Sequence, residues 1–239
     1  MKIGVKVFYE SDIPYIRKIA DSLDFVETMA VIGRKYHRFS DLGLPFVVHN
    51  MHGRWGVNFA DPDKVRKNTA SLNHSIAVAD ELGAKKIIVH PGRFSHDLCS
   101  EEQVVDFLSD FKDKRILIEN MPYSSEGTIH IGYSFEGMRY LLKNTKRRML
   151  LDFAHGSESA AWRGERPLPF IKRLMTLRPA HFHMSDTRLK TIRDMHLHLR
   201  EGTLPLKEYR NLLPKNAWIT LEVDHNPWKT EHDIEFLKS

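Results

Sequence analysis

The chain has 239 residues, 41% hydrophobic and 28% charged, a balance that fits a folded globular protein and excludes a disordered or fibrous one. Its single cysteine, Cys99, rules out an internal disulfide and a cysteine-based structural zinc site, and fits a reducing cytosol. A net charge of +5 and a pI of about 9.2 admit an anionic partner such as nucleic acid or a phosphorylated sugar, and no apolar run approaches the roughly 20 residues that span a bilayer.

In chain order, Met1-Lys2-Ile3-Gly4-Val5-Lys6 opens a first strand over Ile3–Phe8 and does not read as a signal peptide. A helical pattern around Ile13–Leu23 leads to a second strand, Phe25–Val31, and a shorter connection leads to a third, Phe46–His49. A helix follows near Pro62–Leu82, with Asp61 as cap, Pro62 in the first turn and Gly83 as terminator. Lys86–His90 precedes a helix opening at Ser100-Glu101-Glu102, and Ile116–Glu119 precedes one beginning near Ser134. Met149–Asp152, His181–His183 and Ile219–Val223 complete the strands, and a closing helix is expected from about Thr230. The longest irregular stretches are expected after His49, Glu119, Asp152 and His183.

Ile87-Ile88-Val89 and Ile116-Leu117-Ile118 are apolar without alternation, as strands buried on both faces should be. Strand candidates alternating with helices predict an α/β fold: one (β/α)8 barrel domain over residues 1–239, with its active site at the C-terminal ends of the strands. An open doubly wound sheet would bring only a few of those ends to one cleft.

Ligand-type side chains gather at those ends: His49, His90, Glu119, Asp152 with His155, His183, Asp194 with His196, and Glu222. Taken singly, a strand-end histidine is usually a hydrogen-bonded core or surface residue, and a carboxylate is often a helix cap. Jointly they point elsewhere. Glu119 and Glu222 each end a largely apolar run, where a buried carboxylate is costly unless it meets a cation. His181 and His183 share one face of their strand. The set exceeds the three or four protein ligands of one zinc ion and suits two or three ions with a bridging carboxylate, the arrangement that favours phosphoryl-transfer hydrolysis.

The motifs His90-Pro91-Gly92, Glu119-Asn120, Gly132-Tyr133-Ser134-Phe135-Glu136, Asp152-Phe153-Ala154-His155, His183-Met184-Ser185-Asp186, Asp194-Met195-His196 through Glu201-Gly202, and Leu221-Glu222 resemble the endonuclease IV family of xylose-isomerase-like barrels over roughly residues 45 to 239. The resemblance implies a trinuclear zinc site, with manganese as a possible substitute. His49 and His90 would hold one ion and Glu119 would bridge it to a second, completed by Asp152, His183 and Glu222; His155, Asp194 and His196 would hold the third. His52 competes with His49 for its place, and His49 is preferred because it directly ends its strand. The implied reaction is cleavage of DNA on the 5′ side of an abasic site, with Glu119 and Glu222 as the catalytic carboxylates.

The alternative is a one-metal isomerase or epimerase of a sugar or sugar phosphate, using the same two glutamates as acid and base. Relatives of that kind resemble the strand-end set but typically lack the Asp194-x-His196 pair. Against the DNA reading, Met29–Gly43 has no clear match to a groove-reading loop, and Val5 rather than histidine follows Gly4. Basic residues near the expected mouth are Arg54, Arg93, Arg163, Arg166, Arg188, Lys190 and Arg193; of these Arg54, Arg93, Arg188 and Arg193 are the candidates for phosphate contact. Trp55, Tyr123 and Trp162 are candidates for stacking on a base, though loop packing is the more ordinary role for each.

Overall fold

The computed structural model describes residues 1–125, 127–189 and 195–239. Strands β1 Lys2–Val7, β2 Phe25–Ala30, β3 Phe46–Asn50, β4 Ile87–Val89, β5 Ile116–Glu119, β6 Arg148–Asp152, β7 His181–Met184 and β8 Trp218–Leu221 pair in parallel and close into a barrel. β8 returns to β1 with Ile219 beside Ile3 and Leu221 beside Val5. Helices α1 Ile13–Ile19, α2 Val65–Glu81, α3 Glu101–Ser109, α4 Phe135–Thr145, α5 Phe153–Trp162, α6 Pro167–Met175, α7 Leu206–Leu212 and α8 Pro227–Lys238 surround it. This is the expected (β/α)8 architecture, and no described helix is long and apolar enough to cross a membrane.

The structure departs from the sequence reading in several places. The irregular stretch expected after Asp152 is instead helical: α5 begins at once because Asp152 caps it, accepting the His155 N–H at 2.7 Å. The first helix stops at Ile19 and finishes as a 3-10 turn, Ala20–Ser22, before the chain extends at Leu23 to enter β2. The closing helix starts a turn earlier than Thr230, with Asn226 capping the Lys229 N–H and Pro227 in the first turn. The shorter connection expected between β2 and β3 is present and contains a 3-10 segment, His37–Leu42.

The barrel interior explains where the site lies. Side chains two apart on a strand share a face. Phe25, Val47, Ile88, Leu117 and Leu150 form an apolar cluster of their own, separate from the larger core between strands and helices. Gly4 makes room for this plug, since a Cβ there would meet the Phe25 ring at 2.6 Å. Two residues further along, the inward face turns polar on every strand: Lys6, Glu27, His49, His90, Glu119, Asp152, His183 and Glu222. All but His90 are buried.

Candidate metal centre

Glu119 stands at the centre of the polar layer. Its Oε2 lies 3.3 Å from His49 Nε2 and 3.1 Å from His90 Nε2. Its Oε1 lies 3.1 Å from His155 Nδ1 and 3.6 Å from His183 Nδ1. Each oxygen therefore faces a different pair of histidines. His49 donates its Nδ1 hydrogen to the Asn50 carbonyl at 2.8 Å, which leaves an Nε2 lone pair on the side of Glu119, suited to a cation between them. His52 is set apart from that carboxylate and stacks on His90 with ring centroids 4.7 Å apart.

On the other side, Glu222 Oε1 lies 2.9 Å from His183 Nδ1 and Glu222 Oε2 lies 3.5 Å from His196 Nδ1. Asp152 Oδ2 is 3.8 Å from His155 and 4.0 Å from His183. Asn120 ties the ends of β5 and β6 together, accepting from Asp152 N at 2.8 Å and donating to the Asp152 carbonyl at 3.0 Å. The loop that carries His196 folds around Asp186, whose carboxylate accepts from the backbone N–H of Thr187, Arg200, Gly202 and Leu204 at 2.8–3.1 Å. A Cβ on Gly202 would stand 2.4 Å from Asp186 Oδ1, so glycine is required there. Asp194, Arg193 and Lys190 lie outside the described residues.

Two members of the layer were not among the residues singled out from sequence. Lys6 on β1 pairs closely with Glu222 and lies 3.8 Å from Glu27. Glu27 on β2 accepts from His183 Nε2 at 3.0 Å and from the Thr220 hydroxyl at 2.7 Å. Their signal was available: each is an ionisable residue inside an apolar strand, two positions after an inward Gly4 or Phe25.

The electrostatics follow from crowding. Burial works to raise Glu119 and Glu222, but neighbouring charges win: His90, His183 and His155 hold Glu119 well below the ordinary carboxylate range, and His183 and Lys6 do the same for Glu222. Asp152 is pushed up to about 6, first by burial and then by the charges of Glu119 and Glu222. Burial lowers His90 to about 4 against the pull of Glu119. For His183 burial is outweighed by Glu222, Glu27 and Glu119, which raise it well above its usual value. Burial would likewise lower Lys6, but Glu222, Glu27 and Glu119 raise it, so its ammonium stays charged. The pocket is therefore a well of negative potential partly offset by the Lys6 ammonium and the His183 ring.

Glu119 Oε1 and His183 Nδ1 are both buried, 3.6 Å apart, and neither makes a well-aligned hydrogen bond even though Glu222 Oε1 lies 2.9 Å from that nitrogen. His155 Nδ1 is as close to the Asn120 carbonyl, 3.1 Å away, as it is to Glu119. A cation between that carboxylate oxygen and that ring nitrogen would satisfy both, and imidazole with carboxylate suits zinc or manganese. The site opens into a cavity of about 280 Å³ whose wall includes Lys6, His52, Arg54, Trp55, His196 and Glu222.

Of the described phosphate-contact candidates, Arg54 lines this cavity, Arg93 lies beside the Gly53 turn with a buried Nε, and Arg188 is exposed. Trp55 meets the His52 ring edge-on at 4.7 Å, while Tyr123 packs against Tyr133 at 4.9 Å and Trp162 at 6.5 Å.

Residues 33–239 match the family profile described as xylose isomerase-like TIM barrel. No curated protein matches the chain by sequence. Among solved structures, a D-tagatose 3-epimerase-like protein is 24% identical with a TM-score of 0.75, over 100% of this chain and 96% of that one. Endonuclease IV from Thermus thermophilus is 21% identical with a TM-score of 0.76, over 100% and 98%. The IolI protein with a bound zinc atom is 13% identical with a TM-score of 0.71, over 100% and 95%. At such identities the likeness shows the fold alone, and an epimerase-like protein and a nuclease stand at nearly the same distance.

Proposed function

We propose that this chain, which belongs to the xylose isomerase-like TIM barrel family, is a zinc-dependent phosphodiester hydrolase that cleaves DNA on the 5′ side of abasic sites. The carrying observation is the position of Glu119, with Oε2 toward His49 and His90 and Oε1 toward His155 and His183. A carboxylate that faces two sets of donors is suited to bridging two ions, whereas a one-metal isomerase needs a single shell. His49 and His90 would serve one ion, and Asp152, His183 and Glu222 the other. His155 and His196, with Asp194, would serve a third. Bound divalent ions would supply the charge that offsets the phosphate and lowers the pKa of water. The chain's own contribution is placement: Glu119 would hold an ion on each of its two sides, and Lys6 and Arg54 line the cavity with positive charge for an anionic group.

A second reading, a sugar or sugar-phosphate isomerase, is favoured by one specific feature. Glu119 and Glu222 approach the same His183 nitrogen, at 3.6 and 2.9 Å, and Glu222 also lines a cavity of about 280 Å³ that would hold a small polyol. One pair of measurements separates the readings: metals per chain, and incision of duplex DNA carrying an abasic site. Two or three ions with incision supports the hydrolase. Full zinc occupancy without incision removes the DNA substrate, and a single ion with turnover of a ketose or aldose establishes the isomerase instead.

A further inference from the structure

Beneath the candidate metal centre a hydrogen-bonded column runs up through the barrel. Lys86, next to the start of β4, donates to the Ala180 carbonyl at 3.0 Å and to His181 Nδ1 at 3.1 Å. With Nδ1 accepting, the neutral His181 ring carries its hydrogen on Nε2, which donates to Thr220 Oγ1 at 2.8 Å. The Thr220 hydroxyl then donates to Glu27 Oε2 at 2.7 Å. The same oxygen accepts from His183 Nε2 at 3.0 Å. Every member past Lys86 is fully buried, in a part of the barrel that is ordinarily filled by aliphatic side chains.

The direction of the hydrogens is fixed along the whole column. A carboxylate oxygen can only accept, so His183 must present Nε2–H to Glu27. Its other nitrogen, Nδ1, is the one that faces Glu222, Glu119 and Asp152 at 2.9, 3.6 and 4.0 Å. Glu27 Oε1, the other oxygen, makes no hydrogen bond and has the Lys6 ammonium 3.8 Å away, so the carboxylate is balanced by a charge on the side away from His183.

We propose that Glu27 is a positioning residue for the metal centre: its carboxylate holds the Nε2 hydrogen of His183, fixes the ring, and so delivers Nδ1 as the atom that binds metal. A histidine ligand whose second nitrogen donates to a carboxylate is a stronger and better oriented donor, and loss of such a partner costs about 10- to 100-fold in metal affinity. Thr220 and His181 hold Glu27 from below, which is why a polar column replaces packing at this height of the barrel. Glu27 itself touches no ion in this scheme; it acts through His183.

The inference rests on the reading of this site as a metal centre, and two measurements on the full chain keep the two apart. In zinc-loaded wild-type protein, nitrogen NMR of the His183 ring should show a hydrogen on Nε2 and zinc on Nδ1. Zinc titration against a competing chelator should give an affinity about 10- to 100-fold weaker for Glu27→Leu, with Glu27→Gln, which keeps an accepting oxygen, between that variant and wild type. Zinc bound through Nε2, or a Glu27→Leu affinity within twofold of wild type, would overturn the role of Glu27 and spare the metal centre. Failure of the wild-type chain to take up zinc, manganese or another divalent ion would overturn both. If Glu27→Leu does not fold, the wild-type NMR result and the Glu27→Gln titration still decide the matter.

Discussion

Glu119→Gln isolates the central carboxylate, because it removes one charge and almost no volume from a side chain that is fully buried. Its Oε2 faces His49 and His90, and its Oε1 faces His155 and His183. Glutamine can offer an oxygen to only one of those sides and must turn an NH2 toward the other. On the oxygen side a charged contact worth about 1.5–3 kcal/mol becomes a neutral one worth about 0.5–1.5, a loss on the order of 1–1.5 kcal/mol. An ion on that side, which would lose an anionic ligand, should therefore bind at least about tenfold more weakly. On the NH2 side a donor replaces an acceptor, and that ion should be lost. Elemental analysis after dialysis against zinc, together with a chelator-competition titration, should therefore show at least one ion fewer per chain, and turnover should fall to background. A melting curve by circular dichroism on chelator-treated protein checks that the barrel survives. If Glu119→Gln keeps every ion with an affinity within twofold of wild type, Glu119 does not bridge and the multinuclear reading fails.

Asp152 has two jobs that substitution can separate: it caps α5 and it faces His155 and His183. Asp152→Asn should keep the cap and lose metal, whereas Asp152→Ala should also lower stability by about 1 kcal/mol, as read from urea midpoints of the metal-free proteins. Lys6→Met removes a cation that would compete with metal for Glu222; zinc affinity should rise by about tenfold, while the melting temperature of the metal-free protein falls because Glu27 and Glu222 lose their counter-ion. Equal zinc affinity in the two proteins would show that Lys6 and the ion do not compete. Lys86 is pulled from 10.5 to about 7, chiefly by burial and then by Arg148. The unfolded chain therefore binds a proton that the folded chain releases, and this residue makes stability rise with pH between about 7 and 10.5. Lys86→Met should remove that slope, at most about 1.4 kcal/mol per pH unit, when urea midpoints of variant and wild type are compared at about pH 7 and about pH 9.5.

Much of the fold was legible because a parallel barrel writes a simple pattern. Strands buried on both faces read as short unbroken apolar runs, and Ile87-Ile88-Val89 and Ile116-Leu117-Ile118 identify themselves. The helix ends were less so. Asp152 at a strand end looks like a ligand followed by a loop, and nothing in Phe153-Ala154-His155-Gly156 announces a helix; Gly156 is disfavoured there by propensity but fits because a Cβ would stand 2.7 Å from Ile171 in α6. Lys6 and Glu27 escaped notice for a related reason. They sit one residue before Val7 and two after Phe25, inside strands and not at visible ends, and only closure of the barrel places them on the same level as His49 and Glu119.

The sequence by itself determined the kind of fold and the supply of ligand-type side chains, since both are carried by local periodicity and residue chemistry. The tertiary structure decided which oxygen and which nitrogen face one another. Strand register sets the height of each side chain in the barrel, and register depends on pairing between segments as far apart as Val5 and Leu221. Hence Glu119 could be named as a buried carboxylate from its own neighbours in the chain. That its two oxygens look to two different histidine pairs, and that Glu27 holds His183 from below, follows only when eight strands are brought around one axis.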